Sequence, residues 1–400
     1  MGTREAKAVA TGLFRLGPDG KAVNQMSVVS IDGMHAGASS KLEWLQVLRG
    51  IAALLVLYFH MGPHWAGVPT LAGFSKAMHF GFFGVDVFFV LSGFVVYSSA
   101  RKCITATQIQ DFLKRRVLRV YLGYWPVLLV FAVLPAVLSG TVEKTPKQIV
   151  KSILLLYPSG ADNWLPTAWS LTYELYFYVC LAAICLLAGA RRLQVVTWVV
   201  AGIVAWNAFW LIFHPATLQV GKQPLYFVLS AYFVEFLAGA LISEMAIRWK
   251  SHGLDPWLWL PISVSVTLLG FSVGTTSGYF DHVDFMKAGT FGIAAVGMLF
   301  TTLFVQFSGM SAPRWLVRIG DASFSLYLIH PYLLDQMGSI RYRYLESGPA
   351  IVLTLYSLLF PGLIVLAAWI WFRLVEAPLM AWVTRPRVRR VEYHPSETPR

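Results

Sequence analysis

Charged residues are scarce in this chain. Asp, Glu, Lys and Arg make up 13% of its 400 residues, whereas they make up about a quarter of a soluble protein. Because so few charges cannot cover the surface of a water-soluble fold, the composition excludes a soluble enzyme, an intrinsically disordered chain and a fibrous protein. Cysteine is also rare, and Cys103, Cys180 and Cys185 are the three in the sequence. They show no CxxC spacing, so the sequence predicts neither a disulfide framework nor a metal site.

Hydrophobic residues are abundant instead and lie in long runs. They make up 57% of the chain, and from Trp44 onward many runs reach the roughly 20 residues that a membrane helix needs. We expect spans near 43–61, 79–98, 118–139, 169–189, 194–213, 224–247, 257–274, 288–307, 319–337 and 350–372. The sequence therefore predicts an all-α integral membrane protein with about ten transmembrane helices. The apolar stretch 148–157 is short, so we interpret it as a lying or re-entrant segment, with an eleventh span as the alternative.

Positive charges are distributed unevenly along the chain, whose formal net charge is +12. If the N-terminus is inside and ten helices span, 24 of the 32 Lys and Arg residues fall in inner segments and eight in outer ones. Because cytoplasmic loops are enriched in Lys and Arg, this bias predicts cytoplasmic N- and C-termini in a bacterial plasma membrane. We expect membrane lipid as a partner and no nucleic acid, since no basic patch is interleaved with exposed aromatic residues.

Three regions follow from this pattern. Residues 1–40 have no sustained periodicity, which predicts a flexible cytoplasmic tail. Residues 41–380 form the predicted ten-helix domain. Residues 381–400 include the basic run 385–390, which is typical of a cytoplasmic tail that contacts anionic lipid.

Two ionisable residues share the first predicted span. Arg49 and His60 are eleven residues apart, which is about three helical turns, so they lie on one helix face about 16 Å apart along the axis. A lone histidine at a span end usually reaches interfacial water. Arg49 on the same face favours a functional role for both residues, because a charge inside a bilayer is costly.

Three more ionisable residues lie in the outer part of other spans. They are Asp86 in the second span, Glu174 in the fourth and His330 in the ninth. With His60 they form a predicted layer of four groups from four helices, unless uncertain span limits produce the convergence by chance. Histidine and carboxylate groups in one buried layer can perform general acid–base chemistry. They can also form a proton relay in a carrier, so the residues leave an enzyme and a proton-coupled transporter open.

A basic pair precedes the third span. Arg116 and Arg119 are three residues apart and lie on one helix face. Cationic residues at a cytoplasmic span end are routine topology markers, and by residue chemistry alone we favour that interpretation. The functional alternative is an anion clamp, since guanidinium groups match phosphate oxygens.

These motifs, taken together, resemble the membrane-bound acyltransferase-3 family. They occur in the family order over residues 42–380: Arg49-x10-His60, the Gly84-Val85-Asp86-Val87-Phe88-Phe89-Val90-Leu91-Ser92-Gly93-Phe94 stretch, Arg116-x-x-Arg119, Trp169-Ser170-Leu171-x-x-Glu174, Tyr327-Leu328-Ile329-His330 and Glu376-Ala377-Pro378. One departure is that Tyr121-Leu122-Gly123 comes after the second arginine of Arg116-x-x-Arg119, where the family often has a proline, and Pro126 comes later. The chain is similar to the stand-alone form of the family.

The resemblance implies O-acylation. Family members usually transfer an acetyl group from cytoplasmic acetyl-coenzyme A, without a metal, to a hydroxyl of an extracytoplasmic carbohydrate such as exopolysaccharide or lipopolysaccharide. A small secreted glycoside such as a macrolide is the alternative acceptor, and succinyl or longer groups are alternative acyl groups. We expect His60 to be catalytic, as a general base or as an acyl-histidine, with Glu174 or Asp86 orienting it.

The remaining site residues divide by the side of the membrane. Arg49, Arg116 and Arg119 are the predicted coenzyme A contacts, because arginine binds phosphate through charge-assisted hydrogen bonds. On the acceptor side the predicted residues are Trp169, Ser170, Tyr327 and His330.

Overall fold

The computed structural model is helical wherever it has regular secondary structure. It describes residues 42–66, 68–103, 105–142, 144–219, 222–252, 255–277, 284–345 and 348–384, and none of these residues lies in a strand. The described residues from Trp44 onward form one unit. The predicted tail 1–40 and the basic run 385–390 lie outside the described residues.

Seventeen α-helices make up this part of the chain. In chain order they are α1 Glu43–Ala66, α2 Ala72–Met78, α3 Gly84–Ala100, α4 Ala106–Leu128, α5 Leu134–Ser139, α6 Pro146–Ile153, α7 Trp169–Ala188, α8 Arg192–Phe213, α9 Pro215–Gln219, α10 Ala231–His252, α11 Pro256–Ser277, α12 Asp284–Lys287, α13 Ile293–Phe307, α14 Arg314–Asp321, α15 Ser323–Tyr344, α16 Ala350–Trp371 and α17 Ala377–Thr384. Three π-helical turns continue helices without a break, at Leu129–Val133, Ala288–Gly292 and Phe372–Glu376.

Seven helical segments among the described residues are long and apolar enough to cross a membrane. They are Glu43–Trp65, Pro69–Ala100, Ala106–Ser139, Pro166–Phe213, Pro256–Thr276, Asp284–Phe307 and Ala350–Trp382. The fourth segment has 48 residues and contains both α7 and α8. Each of the ten predicted spans falls on a helix, but α10 and α15 are not among the seven segments. Both carry several charges, including Glu235 and Glu244 in α10 and Arg341 in α15.

The short apolar stretch 148–157 is not an eleventh span. Its helical part is α6, which has eight residues and begins with a capping box formed by Thr145 and Gln148. Eight helical residues rise about 12 Å, less than half of a bilayer core.

Helix α3 packs closely against two neighbours, and its glycines make this possible. A Cβ atom on Gly93 would lie 1.7 Å from the carbonyl oxygen of Phe236 in α10, and one on Gly239 would lie 1.9 Å from that of Val90. On the other side, a Cβ on Gly84 would lie 2.4 Å from the carbonyl oxygen of Ala52 in α1. Small residues allow such close backbone approach between membrane helices. The contacts hold α3 between α1, which meets its first turn, and α10, which meets its middle.

Candidate active site

An inner cavity brings the three predicted cofactor-side arginines together. Arg49 reaches it from α1, and Arg116 and Arg119 reach it from α4. The cavity holds about 900 Å³ of empty space, its open mouth included. Glu174 is the carboxylate that lines it, so three guanidinium groups face one carboxylate. The arrangement can bind an anion with several oxygens, such as a phosphate.

The arginines differ in how they are held. Arg116 donates from Nη2 to Oγ of Ser99 at 3.1 Å, which fixes its guanidinium against α3. Neither Arg49 nor Arg119 makes a side-chain hydrogen bond to a described residue, so their donors are available in the cavity. Glu376, from the third π-helical turn, accepts a hydrogen bond from Ser325 and lies within electrostatic range of Arg49 and Arg119.

Glu174 belongs to this inner cavity. Its carboxylate accepts a hydrogen bond from the Tyr178 hydroxyl, one helical turn deeper, and one from Oγ of Ser92 at 3.3 Å. Both donors come from residues that also line the inner cavity. Glu174 therefore lies with the arginines, on the opposite side of a dividing wall from His60.

An outer cavity contains His60. Its empty space is about 1250 Å³, and Trp169, Tyr173, Asp335 and Pro331 also line it. The aromatic rings and the carboxylate in its lining suit a polar molecule with flat apolar faces, since rings stack and carboxylates accept hydroxyl hydrogen bonds.

The two histidines form a hydrogen-bonded pair whose proton positions follow from their partners. Nδ1 of His60 lies 2.9 Å from the carbonyl oxygen of Val56, and Nδ1 of His330 lies 3.0 Å from that of Leu326. Because a carbonyl oxygen only accepts, each Nδ1 carries the proton and each Nε2 carries a lone pair in the neutral rings. Nε2 of His330 lies 3.3 Å from Nδ1 of His60 and shares its proton. Nε2 of His60 makes no hydrogen bond to a described residue and can accept a proton in the outer cavity.

The prediction that Asp86 or Glu174 orients His60 is wrong. The partners of the His60 ring are the Val56 carbonyl and His330. The expected single layer of four groups is three separate groups: the histidine pair, Glu174 with the arginines, and Asp86 with a lysine. Hydropathy indicates how deep a residue lies in its helix, but it does not determine which neighbouring helix the residue faces.

Asp86 forms a buried ion pair with Lys287. Oδ2 of Asp86 lies 3.1 Å from Nζ of Lys287, and Asp86 is 0% exposed. Glu235 of α10 lies beside the pair, and its carboxylate packs against Gly292. A Cβ atom on Gly292 would lie 2.9 Å from Oε1 of Glu235, so a larger residue at this position would crowd the carboxylate. The Lys287 ammonium also lies over the rings of Phe82 and Tyr232, at 5.0 and 5.3 Å from their centroids. Lys287 lines the outer cavity, so the ion pair supports its wall.

A second carboxylate in the outer cavity is held by tyrosines. Tyr232 donates to Oδ1 of Asp284 at 2.9 Å, and Tyr226 donates to Oδ2. All three residues line the outer cavity.

Sequence reasoning missed Lys287 and Glu235, although a signal for one was present. Glu235 lies well inside the predicted span 224–247, where an ionisable residue indicates a partner or a function. Lys287 was assigned to an outer loop because it precedes the predicted span 288–307. The π-helical turn Ala288–Gly292 directly after Lys287 continues the helix, and π-helical turns often occur at functional sites. Among the described residues, no group of His, Cys, Asp and Glu side chains is arranged to hold a metal ion.

Tyr327 stands between the two cavities. Its hydroxyl and Oγ of Ser170 are 2.8 Å apart, and Oγ of Ser170 donates to the carbonyl oxygen of Thr167 at 3.2 Å. Because Ser170 has one proton to give, Tyr327 is the donor in their bond. Tyr327 and Val85 line both cavities, whereas Trp169 lines the outer one and Ser170 the inner one.

Comparison with known families gives the chain its chemical class. Residues 42–375 match the model of the acyltransferase domain of the acyltransferase-3 family. The chain belongs to this family. It is an acyltransferase enzyme, and its helical segments make it a multi-pass membrane protein. No solved structure matches the chain significantly.

Curated relatives point the same way. The chain is 28% identical to the exopolysaccharide production protein ExoZ of Rhizobium meliloti (strain 1021) over 323 residues, which cover 77% of this chain and 91% of ExoZ. It is 23% identical to a putative O-acetyltransferase, SACOL0978, of Staphylococcus aureus (strain COL), over 89% of this chain and 59% of that protein. It is 24% identical to the O-acetyltransferase OatA of Staphylococcus aureus (strain NCTC 8325 / PS 47), over 84% of this chain and 57% of OatA. The chain thus spans less than two thirds of the two staphylococcal relatives.

Proposed function

We propose that this acyltransferase is a membrane O-acetyltransferase that moves an acetyl group from cytoplasmic acetyl-coenzyme A to a hydroxyl of an extracytoplasmic carbohydrate. The observation that carries the proposal is the pair of cavities, one lined by three arginines and the other by His60, with Tyr327 and Val85 common to both walls. A donor with phosphates and an acceptor with hydroxyls need such different sites.

The proposed topology has ten membrane-crossing helices, with both termini in the cytoplasm and the protein in the plasma membrane. The crossing helices are α1, α3, α4 with α5, α7, α8, α10, α11, α12 with α13, α15 and α16. The positive-charge bias of 24 residues against eight supports it. In this orientation the segment with Arg116 and Arg119 lies toward the cytoplasm, and His60 lies toward the outer end of α1.

The inner cavity is the proposed donor site. Arg49 and Arg119 offer unbonded guanidinium donors to the phosphates of coenzyme A, and Arg116 offers those that do not bind Ser99. Charge-assisted bonds to phosphate are stronger than neutral hydrogen bonds, and arginine can make two at once. Glu174 takes its hydrogen bonds from Tyr178 and Ser92, which limits its competition for the arginines.

His60 is the proposed general base. Its Nδ1 proton is held by the Val56 carbonyl and His330, which leaves Nε2 to take the proton of an acceptor hydroxyl. The hydroxyl oxygen then forms a bond to the thioester carbonyl carbon, and the carbon–sulfur bond breaks. The imidazolium returns the proton to the departing thiolate, so the products are an O-acetyl ester and free coenzyme A. In the acyl-histidine alternative, Nε2 attacks the carbonyl carbon first.

The outer cavity is the proposed acceptor site. Its aromatic rings and carboxylates suit a sugar, and the name of the relative ExoZ associates that protein with exopolysaccharide production. A small secreted glycoside such as a macrolide is the second acceptor class. A proton-coupled transporter is the competing function, and it needs no coenzyme A.

Membrane vesicles from cells that express the protein test the proposal with acetyl-coenzyme A labelled in the acetyl group. We expect label in alkali-labile, alcohol-precipitable carbohydrate, and a loss of about 10²–10⁴-fold in His60→Ala, the cost of removing a general base. The exposed His214 at the end of α8 provides the control variant His214→Ala, which should retain activity.

Binding of the donor gives a second readout that needs no acceptor. Acetyl-coenzyme A at about 100 times its Kd should stabilise the purified protein by about 2.7 kcal/mol. Stabilisation without label transfer would indicate that the acceptor is missing from the assay. The absence of both stabilisation and transfer would contradict the proposed function and favour a transporter.

A further inference from the structure

The acyl group has to cross a wall inside the protein. The arginines that suit coenzyme A line the inner cavity, and His60 lines the outer one. Only Val85 and Tyr327 line both cavities, as far as the described residues extend. If the arginines bind the phosphates of an acyl-coenzyme A, its thioester therefore reaches His60 beside these two side chains.

Tyr327 is fixed in this wall from two directions. Its hydroxyl donates to Ser170, which is itself held by the Thr167 carbonyl. Its ring packs edge-on against Phe88, with the ring centroids 5.9 Å apart. Tyr327 is 7% exposed and lies one helical turn from His330, which contacts His60. A movement of this ring would open or close the space next to the histidine pair.

Val85 is the other residue common to both cavities, and its backbone is held in place. It follows Gly84, whose close contact with the Ala52 carbonyl ties this turn of α3 to α1. A backbone held in this way cannot retreat from a larger group, so the size of the Val85 side chain determines the space available. A β-branched valine also has a stiff χ1 angle.

We propose that Val85 and Tyr327 form the passage for the acyl group and determine which acyl lengths the enzyme transfers. Val85 limits the size of the group, and the hydrogen bond from Tyr327 to Ser170 holds the passage in its narrow form. This inference rests on the proposed function and extends it, because it names the residues that distinguish acetyl from longer acyl groups. One methylene changes selection by a hydrophobic pocket about 10–200-fold.

The test measures kcat/KM with acetyl-, propionyl- and butyryl-coenzyme A in the same vesicles. We expect Val85→Ala to raise the propionyl-to-acetyl ratio about 10-fold or more and Val85→Leu to lower it. Tyr327→Phe removes the hydrogen bond but keeps the ring, so it should also raise the ratio. Val87→Ala is the matched control, since Val87 is also buried in the same helix but lines neither cavity.

The outcomes separate the inference from the function on which it rests. If the wild type transfers no acetyl group, the proposed function fails. If the wild type is active but Val85→Ala and Val85→Leu keep its acyl ratio, the inference is overturned. Elution of each variant as a single species in detergent is checked first, and because the two Val85 variants act in opposite directions, either one that folds decides the question. An equally large change in the propionyl-to-acetyl ratio of Val87→Ala would also overturn the inference.

Discussion

The buried ion pair between Asp86 and Lys287 provides the sharpest test of the structure. Replacing Lys287 with Met keeps most of the side-chain volume but removes the ammonium that lies 3.1 Å from a completely buried carboxylate. Removing one partner of a buried pair typically costs about 3–5 kcal/mol, because the other charge is left unpaired. We expect Lys287→Met to lower the free energy of unfolding by this amount.

The fall in the free energy of unfolding arises because the buried Asp86 carboxylate is left without its partner. Removing the charge of Asp86 as well should therefore restore stability. In the double variant Asp86→Asn with Lys287→Met, both members of the pair are neutral. We expect it to lose much less than the single variant, with a coupling free energy of at least about 2 kcal/mol between the positions, within the 0.5–3 kcal/mol range of contacting residues. The contacts of Lys287 with the Phe82 and Tyr232 rings, and its charge interaction with Glu235, are lost in both variants and do not contribute to this difference.

Equilibrium unfolding in mixed micelles measures these free energies, with tryptophan fluorescence as the signal. The exposed Lys147 of α6 provides the control variant Lys147→Met, which should change stability by less than about 0.5 kcal/mol, as surface substitutions usually do. A loss below about 1 kcal/mol for Lys287→Met, well under the cost of an unpaired buried charge, would refute the reasoning. Equal losses in the single and double variants would refute it as well.

Three further predictions concern the site and its scaffold. Replacing His330 with Ala should lower kcat about 5-fold, because one hydrogen bond of roughly 1 kcal/mol to His60 is lost while the Val56 bond remains; initial rates of label transfer measure it. Arg119→Gln should raise the KM for acetyl-coenzyme A about 10–100-fold with less change in kcat, the cost of a charged hydrogen bond of about 1.5–3 kcal/mol, and an unchanged KM would remove Arg119 from the donor site. Gly239→Val should abolish the folded form, because a Cβ there would lie 1.9 Å from the Val90 carbonyl; detergent gel filtration of the expressed protein shows the result.

Helix positions were predictable from the sequence because lipid imposes a simple rule. Each predicted span falls on a helix, since a chain in hydrocarbon must satisfy its backbone hydrogen bonds internally. The exceptions in apolarity are α10 and α15, which carry several charges, and in α10 a buried partner accounts for one of them. That residue is Glu235, because an ionisable residue within a span is tolerated beside Lys287 and not beside lipid tails.

Local spacing also predicted parts of the site. Arg116 and Arg119, three residues apart, line the same cavity, as helical periodicity requires. Arg49 and His60 share a helix face, but about 16 Å of helix separates them, and they line different cavities. Periodicity therefore determined the face and the height of each side chain but not the cavity that it enters.

The sequence by itself determined that this is a helical membrane protein, which residues inside its spans carry charge, and that its motifs belong to an acyltransferase. Only the tertiary structure decided which charges meet. In that structure His60 pairs with His330, Glu174 lies among the arginines, and Asp86 forms an ion pair with Lys287. The physical reason is that contacts between helices depend on how each helix rotates and crosses its neighbours, and close approaches such as that at Gly93 determine those crossings.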